Sequence, residues 1–220
     1  TPGPAGAQLW FLNQLASTGD YNIAFALDLT GPLDVAALST ALVLAVDRHE
    51  PLRTVFPERD GRPVLDVWSA TDIPALQAIP IAESQWRAAV DDLATAGFDL
   101  TRELPMRAAL HRLGPEHHRL TIVVHHIAAD GWSMSPLAQD IATAYRSVHA
   151  GADPGLPALP VTYRDYLEWQ SRMLGLSADG SVRPNTRLAE LADWWRAELG
   201  SLPLTPALIG SGHGPAQGYS

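Results

Sequence analysis

The stretch VHHIAADGWS, residues 124–133, places two adjacent histidines at the end of an apolar run and follows them with Asp-Gly. An imidazole among apolar side chains is costly unless it is paired, so the pair needs a reason. Reading back from it, residues 118–126 are nearly continuous in apolar side chains, the pattern of a strand central in a sheet. A turn at GPEH joins it to a second strand over 105–113. Reading forward, Asp130-Gly131 offers a tight turn in which glycine can take positive φ, and Ser135-Pro136 reads as the N-cap and first position of a helix over 136–148. The motif therefore sits on a strand-to-loop-to-helix junction, where loop residues and a helix N-terminus can meet a ligand.

Successive strand side chains face opposite ways, so His125 and His126 can both address one reaction centre only if the strand has already ended. Both parities are apolar, and parity alone does not choose between them. Imidazoles ordinarily titrate near pH 6.5, which suits a group that takes a proton or orients a nucleophile at neutral pH. Asp130 would anchor the loop. Metal ligation is not expected, because adjacent strand residues diverge and no further ligand has matching spacing. A strand-end histidine is more often a satisfied structural residue than a catalyst, and that reading stays open on pattern alone. His117 and His118 follow a turn and are expected to be solvated.

Outward from the motif, helical and strand patterns alternate, which points to an α/β layer architecture. Residues 22–29 alternate Ile23, Phe25, Leu27 and Leu29 with smaller or polar residues, as a half-buried strand does. Asp34 is the expected N-cap of a helix that runs to His49 before Pro51. Segments 53–56 and 63–68 flank a hairpin turn at Asp60-Gly61. Helices are expected over 8–15, 84–96, 161–174 and 187–199, with Gly97 stopping the second. The final stretch GSGHGPAQGYS has little to bury.

The bulk numbers exclude several classes. The 220 residues contain no cysteine, so disulfides, thiolate metal sites and a cysteine nucleophile are ruled out. A formal net charge of -9 without a basic stripe argues against a nucleic-acid partner. No window offers an apolar membrane span, and the first residues, TPGPAGAQ, lack a basic leader and an initiating methionine. The chain is read as a cytoplasmic piece of something longer, with no membrane partner.

Four segments, taken in order, resemble the core motifs of nonribosomal peptide synthetase condensation domains: QLWFLNQL (8–15), RHEPLRTVF (48–56), HHIAADGWS (125–133) and YRDYLEWQ (163–170). The third is similar to the family's HHxxxDG signature. In the first, Gly6, Ala7 and Gln8 stand where the family usually carries Gln and Arg before Leu-Trp. The resemblance implies a chloramphenicol-acetyltransferase-like α/β lobe, a mixed β-sheet with flanking helices. Residues 1–200 would be the N-terminal lobe, and 201–220 a flexible tail or truncated inter-lobe connection.

The resemblance also assigns roles. His126 would be the key histidine, with His125 packed in support, Asp130 in a structural salt bridge and the Gly131 N–H near the reacting thioester. Trp132, Ser133 and Arg53 would border substrate. Arg48, Tyr163, Asp165 and Trp169 would serve the motifs structurally, through core packing and local hydrogen bonds. No metal or directly bound cofactor is expected; phosphopantetheine would arrive on upstream and downstream peptidyl carrier domains. The C-terminal lobe and an adenylation domain would be further partners, and the motif favours joining two L-configured residues. A coenzyme-A-dependent acyltransferase, a non-catalytic lobe that recruits partner proteins, and an isolated structural lobe are the competing readings.

Overall fold

The computed structural model describes residues 2–16, 18–70, 73–177 and 181–200. Two units divide the chain, Thr1–Ser171 and Arg172–Ser220. The expected tail at 201–220 lies outside the described residues.

The first unit is built on a four-stranded mixed sheet in the order β1-β8-β7-β6. Its strands are β1 (Asn22–Thr30), β6 (Ala78–Pro80), β7 (Met106–Gly114) and β8 (His117–His125). β8 pairs antiparallel with β1 in continuous register, Asn22 opposite His125, and with β7, Met106 opposite Val124, with a register shift between Arg112 and Gly114. Its apolar run thus occupies the centre. β6 joins the edge in parallel to β7; three residues ending in proline gave no alternation to read.

The two faces of β8 carry different cores. Leu120, Ile122 and Val124 point toward α2 (Val35–Arg48) and α4 (Met134–His149), where they meet Leu42, Val46, Leu137 and Ile141. Asp34 caps α2 as expected, its carboxylate accepting the Ala37 N–H at 2.9 Å. The opposite face takes α3 (Glu83–Thr95) and the tryptophan of α1 (Pro4–Leu15). Arg119 holds α3 there: its guanidinium lies 4.3 Å from the Trp86 ring and pairs with Glu83 at 2.6 Å and with Asp28 of β1 at 2.7 Å.

Asp60 and Gly61 both take positive φ, 53° and 75°, between β3 (Glu58–Arg59) and β4 (Arg62–Pro63). The hairpin is therefore as expected, with a second short pair outside it, β2 (Thr54–Val55) against β5 (Asp66–Val67).

Three expectations are corrected. His118 is buried at 6% exposure, because its strand partners Leu29 and Arg112 flank it, and His117 donates toward Asp28 at 3.0 Å. Ser135-Pro136 does not begin the helix; α4 starts at Met134, directly after a 3₁₀ turn over Gly131–Ser133. Gly131 is not a positive-φ residue, because the chain enters that turn from an extended Asp130 at φ -129° and ψ -175°.

In the second unit, Thr186 caps α6 (Arg187–Leu199), which has the bounds the sequence implied. Among the described residues no helix is long and apolar enough to cross a membrane.

Candidate active site

The strand ends at His125, and that ending separates the two histidines. The His125 N–H reaches the Pro105 carbonyl at 2.9 Å and the His126 N–H the Tyr21 carbonyl at 2.8 Å. Beyond them the chain turns, the Ala128 N–H returning to the His125 carbonyl at 2.9 Å. His126 is exposed, whereas His125 is fully buried.

The His125 Nδ1 accepts the Ile127 N–H at 3.1 Å, which puts the ring proton on Nε2. The Phe98 ring meets it edge-on at 6.0 Å, and Tyr21 lies 6.3 Å away. Burial, and secondarily the charge of His126, lower the His125 pKa to about 4. A neutral ring thus braces the turn from beneath while its neighbour faces solvent.

Asp130 and Ser133 close a reciprocal box around the 3₁₀ turn. The Asp130 carboxylate accepts the Ser133 N–H at 3.0 Å and its hydroxyl at 2.8 Å, and the Asp130 N–H donates to the Ser133 Oγ at 3.1 Å. These bonds hold the carboxyl below the usual carboxylate range. Among the described residues Asp130 acts as a cap, because Ser133 is three residues away and can satisfy it locally. Ser133 is thereby spent on the loop. Gly131 is exposed, with nothing within 4 Å of where a Cβ would stand. Trp132 beside it is 90% exposed.

The first two motifs brace this loop from below. Trp10 of α1 donates its indole N–H to the Phe56 carbonyl at 2.9 Å, Phe56 donates its N–H to the Leu100 carbonyl at 2.7 Å, and Asn13 donates to the Phe98 carbonyl at 3.2 Å. Replacing Trp10 with phenylalanine keeps an aromatic side chain, removes the indole N–H and strands that carbonyl. A loss of about 1.5 kcal/mol in a chemical denaturation experiment is expected.

Arg48 and His49 converge on a single oxygen of Asp140 in α4, at 3.0 and 2.7 Å. This ties the end of α2 to the helix that follows the histidine loop. A cavity of about 240 Å³ lies between the two segments, lined by His49, Leu52, Ala128, Ser133 and Met134 among others. Asp140→Asn should cost about 1 kcal/mol, and the cost should shrink when His49 and Arg48 are already removed, as a mutant cycle would show. Arg53 braces locally: its guanidinium donates to the Trp68 carbonyl at 3.0 Å and the Asp47 carbonyl at 3.1 Å.

The fourth motif opens α5 (Tyr163–Leu174). Asp165 accepts the Thr162 N–H and hydroxyl, both at 2.8 Å, and these bonds lower its pKa. Tyr163 stacks on Tyr166 at 6.2 Å, and burial raises its pKa. Trp169 departs from the expected core role. It is 52% exposed, because the helix buries Leu167 and turns Trp169, two residues on, to the other side.

The sequence profile described as Condensation domain matches residues 5–182. The chain belongs to the condensation-domain family. This condensation-domain chain is 44% identical over 200 residues to a probable non-canonical nonribosomal peptide synthetase, CymA, of Salinispora arenicola, covering 90% of the chain and 2% of that protein. It is 44% identical over 203 residues to the isonitrile lipopeptide synthase of Mycobacterium tuberculosis, covering 89% of the chain and 8% of that protein. Among solved structures, the X-domain in the complex with OxyB from teicoplanin biosynthesis superposes with a TM-score of 0.82 at 32% identity, covering 91% of this chain and 43% of that one. The chloramphenicol-acetyltransferase-like α/β fold expected from the motifs stands. The chain spans only a small part of the curated relatives it matches and less than half of that solved chain.

The sequence reading missed Tyr21, Phe98 and Arg107. Phe98 stands in GFDL directly after a helix stop, a fully buried aromatic in a segment otherwise read as a connection. No periodicity marks it, since its partners lie on other elements.

Proposed function

We propose that this chain is the N-terminal lobe of a condensation domain and that the protein carrying it forms peptide bonds between carrier-bound aminoacyl or peptidyl thioesters. The observation that carries the reading is His126, exposed on a turn whose base is a buried, neutral His125 and whose far end is capped by Asp130 and Ser133. Such a scaffold holds one imidazole in a fixed place without burying it.

In the reaction, the α-amino nitrogen of the acceptor attacks the carbonyl carbon of the donor thioester. The C–N bond forms, the C–S bond breaks and the carrier thiol leaves. His126 orients the amine and takes its proton, returning it to the departing thiolate. The Gly131 N–H, on an exposed residue, donates to the oxyanion. Phosphopantetheine is held by the upstream and downstream carrier domains, so this lobe needs to hold no cofactor of its own. The C-terminal lobe completes the substrate passage, and an adenylation domain supplies the activated residues. The exposed Trp132 sits where an incoming substrate would pass.

The test is to load donor and acceptor carriers with L-aminoacyl groups, mix them with the full-length protein and follow dipeptidyl-carrier formation by mass spectrometry. Dipeptide on the acceptor carrier supports the reading. Acyl transfer only from acyl-coenzyme A to a soluble acceptor would replace it with the acyltransferase reading. The X-domain likeness brings in a second reading, recruitment of a partner protein. Partner binding without any dipeptide would favour it.

A further inference from the structure

Arg107 lies outside all four motifs, yet it faces the underside of the histidine pair. It is opposite Val123 in the β7–β8 register, on the face of the sheet that also carries His125. Its guanidinium carbon is 3.9 Å from the centre of the Phe98 ring. One Nη donates to the Ala96 carbonyl at 2.9 Å, and the other to the Gly97 carbonyl at 2.6 Å and to Glu103 at 2.9 Å. Glu103 in turn accepts the Asp99 N–H at 2.6 Å.

The segment 96–99 is therefore clamped by one planar cation that both stacks on its aromatic ring and ties down its carbonyls. The same ring, packed in the buried cluster with Trp10, Phe56 and Val123, also approaches His125 edge-on, and the His125 Nδ1 fixes the turn bearing His126. A lysine ammonium carries the same charge but offers neither the flat stacking face nor the fork.

We infer that Arg107 is a positioning residue for the histidine pair, acting through Phe98 and His125. The rate consequence rests on the condensation reading; the structural consequence does not. A displacement of His126 on the scale of an ångström is enough to cost about 100-fold in rate.

The experiment uses the full-length protein and its Arg107→Lys and Arg107→Ala variants. Amide exchange of peptides covering residues 124–131 is followed by mass spectrometry, beside melting temperature and dipeptide formation. The expected result is lost protection at the Ile127 amide in both variants. The rate should fall about 100-fold in kcat with KM for the acceptor carrier unchanged, and millimolar guanidinium should recover it in Arg107→Ala. Unchanged Ile127 protection in both variants overturns the inference. So does a loss of protection spread evenly over the protein with a matching drop in melting temperature, which marks a general structural role. If the unaltered protein makes no dipeptide, the condensation reading fails while the exchange at Ile127 still decides the role of Arg107.

Discussion

Replacing His126 with alanine in the full-length protein is expected to lower dipeptide formation by about 10²–10⁴-fold, the usual contribution of a positioned acid–base group. Stability should stay within about 0.5 kcal/mol, since the side chain is exposed and its anchoring bond to Tyr21 is made by the backbone. His125→Ala should lower both rate and stability. Its ring is fully buried and holds the Ile127 N–H, so its removal leaves a cavity and a stranded donor. A variant that loses rate alone beside one that loses rate together with stability is what the end of β8 between them requires. Single-turnover kinetics and denaturant titration on both variants measure the contrast. A His126→Ala protein that condenses at the normal rate removes the histidine from the mechanism and leaves positioning by the rest of the lobe as the source of rate.

That division between the two histidines was only half legible in the sequence. Parity along the strand showed that they diverge, but both faces of β8 are apolar, and the family resemblance alone pointed to the second. What decides the matter physically is where the strand stops, and that depends on the Tyr21 and Pro105 carbonyls, which are distant in sequence. Local signals were read well where the interaction is local: the Asp34 cap, the Asp60-Gly61 turn and the alternation in β1. Trp169 and His118 were misplaced because burial is set by the neighbouring element, not by residue type. Asp130 anchors the loop, as its place after the histidines implied. Between a salt bridge and a hydrogen bond the sequence did not choose; the carboxylate bonds to a serine three residues on.

The long-range bonds also give the first two motifs a common physical purpose. Trp10 and Asn13 of the first motif hold the Phe56 and Phe98 carbonyls; Arg48 and His49 of the second hold α4. These two motifs contribute bonds to the platform from which one imidazole projects, while the fourth makes its bonds locally, Asp165 to Thr162. Spacing in sequence carries little of this, because the bonds run between residues 46 to 92 apart.

Acidifying the protein from pH 7 to pH 4 is expected to remove about 3 kcal/mol of folding stability through His125 alone. Burial, with the nearby charge of His126 second, keeps the folded ring neutral down to a pKa of about 4, whereas an unfolded histidine takes its proton near pH 6.5. Between those values the unfolded chain binds a proton that the folded chain refuses, so stability falls as pH falls. Above pH 6.5 both states are neutral and the group contributes no slope; below about 4 both are charged and the loss stops growing. His111, also lowered by burial, adds in the same direction. The carboxylates of Asp28, Asp130 and Asp165 have pKa values lowered below 3.8 by their hydrogen bonds, so their stabilisation is lost only at still lower pH. The window from 6.5 to 4 therefore belongs to the buried histidines. His125→Gln isolates one of them, since an amide oxygen can still accept the Ile127 N–H without titrating. Denaturation curves taken across this range should be steeper in pH for the unaltered protein than for the variant. Equal slopes would mean that water reaches His125 in the folded state, and the turn beneath His126 would then lack the dry, neutral base on which its fixed geometry depends.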